Sequence, residues 1–310
     1  PNERTDLPGA VTKYTALHIK ALANQELKNY QAVADATGQI ISSGKFSLME
    51  DFIELFKTPG KLSDENLFEF QYSDFGEGTG NRVSHLYAPY GPNWNPAVAG
   101  ASGGWQFFEP SLKYVEFMLD RGDNERLETS VLFTQTGIDS IIATTNYTAA
   151  TLPSFVSPTT RYGDRLNNSA RAIFQSGKHY LPSTQLIPGR TDYGSNKNYI
   201  VYRYAETLLM YAEALLQGAS NSAMTADQAV NLVRARAGLT PLSGVTLDQV
   251  VDEKYAELAM EWGKRFFDMV RLERYNELSY GGRTFTADKA FVTYHQDQID
   301  EFPILGEISN

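Results

Sequence analysis

Arg203-Tyr204-Ala205-Glu206-Thr207-Leu208-Leu209-Met210-Tyr211-Ala212-Glu213-Ala214 is the stretch on which the fold turns. With Val201 upstream and Leu215 downstream, its Ala205, Leu208 and Ala212 recur at spacings of three and four, the period of one helix face. Ala205, Ala212 and Ala214 are small enough for another helix to pack closely. A second stripe follows in Ala226, Val230, Val233 and Ala237, preceded by Thr225 and Gln228 at capping-box spacing. The pattern predicts a helical pair over 198–238. Residues 9–44 repeat the arrangement, with Val11, Tyr14 and Leu17 on one helix and Val33, Ala34, Thr37, Ile40 and Ile41 on the next. Ala16 and Ala21 supply the small residues there, and Gly44 supplies the stop. Two such pairs point to a tetratricopeptide-type repeat.

Further along, Thr246 and Gln249 form another capping-box signature ahead of Val251, Tyr255, Leu258, Trp262, Phe266 and Met269, again spaced by three and four. One long helix is predicted from Leu247 to about residue 275. Residues 67–72 alternate instead, with Phe68, Phe70 and Tyr72 on one side and Glu69 and Gln71 on the other, so a half-buried strand is expected. Residues 73–104 and 143–198 are rich in Gly, Pro, Ser, Thr and Asn but also in aromatics. A disordered linker would be poor in aromatics, so ordered and functional loops are expected there. The predicted fold is mainly α: tetratricopeptide-like helical hairpins, long irregular loops and a few short strands.

Composition narrows the function. At 42% hydrophobic and 21% charged, the 310 residues can bury a sizeable core. A net charge of -10 opposes nucleic acid, whose binding relies on Lys and Arg displacing counterions. The absence of cysteine removes disulfides, thiolate nucleophiles and Cys-based metal sites. No apolar run approaches the roughly twenty residues that span a bilayer, and the start at Pro1-Asn2-Glu3-Arg4 carries no leader pattern.

Chemical motifs do not assemble. Gly38 and Gly44-Lys45 have the wrong spacing for a phosphate loop and end a helix where that motif opens one. Gly76-Glu77-Gly78-Thr79-Gly80 lacks both the dinucleotide spacing and a following helix. His18, His85, His179 and His295 share no metal-ligand spacing, so no metal and no cofactor are expected. Arg121-Gly122-Asp123 matches a cell-adhesion tripeptide, which at three residues is a chance match. Glu257, Glu261 and Asp268 fall at helical spacing beside Arg265 and Arg271, which fits a salt-bridged helix face better than the facing carboxylates of a glycosidase.

The opening stretch resembles the signature helix of the SusD/RagB family. Val233-Arg234-Ala235-Arg236-Ala237-Gly238-Leu239 follows at the family's distance, and Glu257-Leu258-Ala259-Met260-Glu261-Trp262-Gly263-Lys264-Arg265-Phe266-Phe267-Asp268-Met269-Val270-Arg271 is similar to its third block. Weaker echoes at Gly9-Ala10-Val11, Ile41-Ser42-Ser43-Gly44, Glu65-Asn66-Leu67, Gly104-Trp105 and Phe302-Pro303-Ile304 extend the resemblance along nearly the whole chain. Trp262 is an extra residue in the third block, and Leu305 replaces a frequent proline. The resemblance implies one SusD-like domain over 1–310, with a hairpin at 9–44, a strand and aromatic loop at 65–105, and the signature hairpin and long helix at 198–275. Family members are considerably longer, which implies a further amino-terminal part carrying the export signal, the lipidated cysteine and the first hairpins.

The function implied is non-catalytic: binding of oligosaccharides on the cell-surface side of the outer membrane, through a lipid anchor, as partner of a TonB-dependent, SusC-like transporter. Peptide binding, glycoside hydrolysis and a pure protein scaffold are the alternatives. The signature blocks read as core, with Arg234 and Arg236 available to pair Glu257, Glu261 and Asp268. A sugar needs a flat aromatic surface beside hydrogen-bonding groups, and residues 72–105 hold both. Tyr87, Tyr90 and Trp94 are the candidate stacking residues, and Asn81, Arg82, Asn93 and Asn95 the candidate hydroxyl partners. Trp105, just ahead of a predicted helix, is expected to pack.

Overall fold

A computed structural model describes residues 1–72, 86–99, 101, 103–188, 195–291 and 294–304. The chain divides into two compact units, Pro1–Glu261 and Trp262–Asn310. The fold is mostly helical with a few short strands. In the first unit, α1 (Lys13–Glu26) and α2 (Tyr30–Ser42) form a hairpin. Thr12 caps α1, and Gly44, in the left-handed region at φ 61°, lies just beyond α2. After a single turn α3 (Phe52–Leu55), strand β1 (Asn66–Phe70) is reached. Its buried side carries Leu67 and Glu69, and the aromatics Phe68 and Phe70 lie toward the surface. Burial raises the Glu69 carboxyl, although Asn198, Asn66 and the Leu62 amide all donate to it.

A second group of elements comprises α4 (Leu112–Asp120), α5 (Asn124–Ser130), β2 (Val131–Phe133), α6 (Gln135–Ala143) and β3 (Phe174–Ser176). β2 and β3 pair antiparallel around a core of Tyr114, Met118, Leu127, Phe133, Ile141 and Phe174. Strand β4 (Tyr199–Arg203) pairs antiparallel with β1 and leads directly into α7 (Tyr204–Leu216). Val201, expected on a helix face, therefore lies in a strand: a ladder with β1 claims the backbone before the helix begins.

Helix α7 is buried on every residue from Tyr204 to Ala214, which makes it the central helix of its unit. Hairpin α1–α2 packs on one side, and α8 (Ala226–Arg236) and α9 (Leu247–Leu258) on others. The small residues Ala205, Ala212 and Ala229 lie in the shared core with Leu208, Leu209, Val230 and Val233. Two buried carboxylates of α7 act as ties. Glu206 meets His18 of α1 at 3.1 Å, while Glu213 receives Gln25 at 2.9 Å and Lys254 of α9 at 3.0 Å. Both capping boxes expected from Thr225/Gln228 and Thr246/Gln249 are formed.

The expected long helix is broken. α9 stops at Leu258, and α10 (Lys264–Arg271) starts afresh in the second unit. Met260, Trp262 and Gly263 adopt φ of 64°, 55° and 76°, a left-handed backbone that an α-helix cannot contain. In the second unit Arg265 pairs with Glu277, Asp268 pairs with Arg271 at 2.7 Å, and Phe266 meets Phe285 edge-on. A short helix α11 (Gln296–Glu301) follows. No described helix is long and apolar enough to cross a membrane.

Candidate functional site

The signature helices are spent on one another. Arg203 reaches Glu65 at 2.9 Å, Glu261 at 2.7 Å and also Glu257. Arg236 joins Glu65 and Glu257, Arg234 joins Glu253 at 3.0 Å, and Arg126 joins Asp123, Glu253 and Glu257. Lys178 closes on Glu261 at 2.6 Å. Burial alone would raise the Glu257 carboxyl, but Arg236, Arg203 and Arg126 outweigh it and hold it well below the usual carboxylate range. Such a carboxylate is a poor proton donor. Among the described residues no His, Cys, Asp and Glu cluster could hold a metal ion.

The aromatic loop offers a different surface. Residues 103–107 run beside 86–89, with the Gly104 amide donating to Pro89 at 2.7 Å, Gln106 to Ala88 at 3.2 Å and Phe107 to Leu86 at 2.8 Å. At position 103 only glycine fits, because a Cβ there would lie 2.1 Å from the Gly91 nitrogen. Alternation along this segment buries Gln106 and turns Trp105 and Phe107 outward, 42% and 58% exposed. Their rings meet edge-on at 5.7 Å. Gln106 holds φ 55°, a strained value for a residue with a side chain, and is anchored by its amide donating to Phe174 O at 3.0 Å.

Arg171 links this pair to Tyr90. It donates to the Trp105 carbonyl at 3.1 Å, and its guanidinium lies 5.4 Å from the centre of the Tyr90 ring, which is 47% exposed. Beside them the exposed Asn93 donates to Asn167 at 3.2 Å, and Asn167 donates to Gly91 O at 2.8 Å. Three exposed aromatic rings thus stand next to one guanidinium and two amides, the donor and acceptor set that a sugar ring needs.

The other residues expected in the site are placed elsewhere. Tyr87 stacks on Phe108 at 4.3 Å and lies beside His179, which burial and then Lys197, Lys178 and Lys57 keep neutral. Trp94 is half-buried and parallel to Tyr180 at 6.1 Å, packed on the cluster of Leu132, Leu166 and Tyr180. Asn95 uses its backbone, donating to Asp164 at 2.7 Å and accepting from Ser183 at 2.9 Å. Asn81 and Arg82 lie outside the described residues. Trp105 and Phe107, by contrast, are exposed. The alternation Trp105-Gln106-Phe107 was the available signal; Arg171 and Asn167, over sixty residues away in sequence, carried none.

The sequence model of the SusD family matches residues 64–304. The SusD-like protein P2 of Formosa agariphila is 36% identical over 104 residues, 30% of this chain and 20% of that protein. Among solved structures, surface glycan-binding protein A from Bacteroides thetaiotaomicron, in complex with laminarihexaose, matches at 26% identity with a TM-score of 0.67, over 97% of this chain and 64% of that one. Surface glycan-binding protein A from Bacteroides uniformis matches at 25% identity and a TM-score of 0.68, over 97% and 61%. This chain spans less than two thirds of the length of these relatives.

Proposed function

Because this chain belongs to the SusD family, we propose that it binds oligosaccharides without cleaving them and passes them to a TonB-dependent, SusC-like transporter from a lipid anchor on the outer-membrane surface. The observation that carries the binding reading is the exposed group Tyr90, Trp105 and Phe107 held together by Arg171. Apolar C–H faces of a pyranose would lie on the rings, and hydroxyls would meet Arg171, Asn93 and Asn167. Of the residues expected from sequence, Tyr90 and Asn93 belong to this surface; Tyr87, Trp94 and Asn95 serve it by holding the loop. Laminarihexaose, bound by a structural relative, is the first ligand to try.

Calorimetric titration with laminarihexaose tests the reading. Trp105→Ala and Phe107→Ala are each expected to weaken binding about tenfold, equivalent to about 1.4 kcal/mol, with thermal melting unchanged. Full affinity in both variants would reject this surface. Chromatography of the hexaose after prolonged incubation is expected to show it intact; shorter sugars would overturn the non-catalytic assignment. A pull-down from outer membranes is expected to recover a large β-barrel, and fractionation of the intact protein into the cytoplasm would reject the transporter role.

A further inference from the structure

Arg165 and Arg171 stand apart from the other arginines of the first unit. Every other described arginine there bridges at least one carboxylate, in a chain whose net charge is -10. Arg165 and Arg171 are exposed, and no described carboxylate bridges either of them. Backbone pairing decides where Arg165 points. Residues 164–167 alternate, with Asp164 and Leu166 buried and Arg165 and Asn167 exposed. Arg165 and Asn93 exchange both backbone bonds, at 2.7 and 3.0 Å, so they are direct cross-strand partners whose side chains leave the same face. Asn93 and Asn167 join on that face, Asn167 reaches Gly91 O, and Gly91 follows Tyr90, against whose ring Arg171 rests. The two guanidinium groups therefore belong to one surface, the one that carries Tyr90, Trp105 and Phe107. Neighbouring carboxylates are engaged elsewhere. Asp164 points inward to the Asn95 and Ser183 amides at 2.7 and 2.9 Å, and Glu109 accepts from the Ile173 amide at 2.7 Å.

We propose that the glycan taken by this surface is acidic, an oligosaccharide carrying carboxylate or sulfate groups, with Arg165 and Arg171 as its anion contacts. This rests on the reading of Tyr90, Trp105 and Phe107 as a sugar platform and specifies the ligand of that same site. Substituents of a pyranose stacked on an aromatic ring radiate in the plane of the sugar, so a uronate carboxylate or a sulfate ester extends past the edge of the platform, where the arginines stand. A guanidinium meets either group with paired N–H donors, and such charge-assisted bonds are roughly twice as strong as neutral ones. Arg171 donates to the Trp105 carbonyl at 3.1 Å and is held there, so little of its side-chain freedom remains to be lost on binding. Asn93 and Asn167 already supply uncharged partners for hydroxyls, so a neutral glycan needs no pair of cations beside them. The overall charge opposes an anion at long range. Two arginines without carboxylate partners at the sugar platform make this the place where one can bind.

The test is calorimetric titration with laminarihexaose, hexagalacturonate and a κ-carrageenan hexasaccharide, which are neutral, carboxylated and sulfated. At about 20 mM sodium chloride at least one acidic ligand is expected to bind about tenfold tighter than laminarihexaose, an advantage that shrinks to about twofold at about 500 mM as salt screens it. The tighter of the two acidic ligands identifies the anionic group. Arg165→Gln and Arg171→Gln are each expected to lower the ratio of acidic to neutral affinity about fivefold, whereas Lys20→Ala, which removes an exposed charge on α1, is expected to leave that ratio within about twofold. Arg165 is exposed, so its variant decides the matter if Arg171→Gln melts early. Acidic ligands no tighter than laminarihexaose, a preference unchanged in Arg165→Gln, or an equal loss in Lys20→Ala would overturn the proposal. Binding of laminarihexaose without any acidic preference would leave the aromatic surface standing and remove the acidic ligand alone. Binding of none of the three would reject both.

Discussion

The interior around Arg203 and the surface around Arg171 use the same side chain in opposite ways. Arg203 is buried, touches three carboxylates and has the rings of Phe52 and Phe56 5.5 and 5.7 Å away, so none of its chemistry reaches solvent. Arg171 is exposed, bonds one carbonyl and lies near one ring. The residues that make the chain recognisable as a family member are therefore those that fix its scaffold. The residues proposed to meet a ligand lie on a loop whose shape that scaffold sets.

The largest effect is expected in the interior. Arg203→Leu leaves Glu65, Glu257 and Glu261 short of a partner in a buried setting, and removing one member of a buried pair costs about 3–5 kcal/mol. Urea unfolding is expected to show a loss of that size. A loss under about 1 kcal/mol would mean that Arg236 and Lys178 re-neutralise the cluster and that the contrast between the two regions is weaker than drawn.

The same interior sets a pH dependence. Against the penalty of burial, arginines and lysines depress the Glu253, Glu257 and Glu261 carboxyls in the folded state. Their contribution is complete above the unfolded value of about 4.3 and is lost as pH falls through the depressed folded values. Lys57 gives a slope of the same sign in a higher window, because burial lowers its amine. Its folded value of about 7 lies below its ordinary 10.5, so the unfolded chain binds more protons between the two and stability rises with pH across that window. Melting followed from pH 9 to pH 3 is expected to decline from pH 9 toward 7 and to fall steeply only below about pH 4. Burial lowers the Lys178 and Lys197 amines as well, so Lys57→Met is expected to reduce the slope above pH 7 without removing it and to keep the acid loss; an unchanged slope would put its origin in Lys178 and Lys197.

The two regions also differ in how far sequence reveals them. The burial of α7 was legible because Ala205, Leu208 and Ala212 keep one period within a single segment, and capping at Thr225 and Thr246 is local chemistry. The break after Leu258 was not. Met260 and Trp262 are unusual residues for φ > 0, and Trp262 continues the apolar stripe that suggests an unbroken helix. Trp105 and Phe107 were legible only in part, through their alternation with Gln106. Their exposure follows from closure of 103–107 on 86–89 and from Arg171 arriving from a distant loop, neither of which has a periodic signature.

Intermediate effects belong to the loop's supports. Trp94→Ala removes a half-buried ring stacked on Tyr180 and is expected to cost about 1–3 kcal/mol, while hexaose affinity stays within about threefold. Gly103→Ala forces the two segments apart at Gly91. It is expected to cost less than Trp94→Ala in melting and to abolish hexaose binding, because Trp105 and Phe107 depend on that ladder. If Gly103→Ala binds normally, the ladder does not shape the surface.

The smallest effect on stability, and the sharpest contrast with Arg203, is expected at Tyr90. Its ring is 47% exposed, and its one described ring contact is the Arg171 guanidinium at 5.4 Å. An exposed cation–π contact of this kind is worth about 0.5–1 kcal/mol, which bounds the stability lost in Tyr90→Ala. In the proposed complex the ring covers a sugar face, so the same truncation is expected to weaken hexaose binding about tenfold. Tyr90→Phe separates the two parts of the side chain. It keeps the ring and removes the hydroxyl, and should bind within about threefold of wild type if stacking is the source. Calorimetry on the three proteins decides it. An equal loss in both variants would assign the contribution to the hydroxyl, and no loss in either would move Tyr90 out of the ligand surface and leave it as a rest for Arg171.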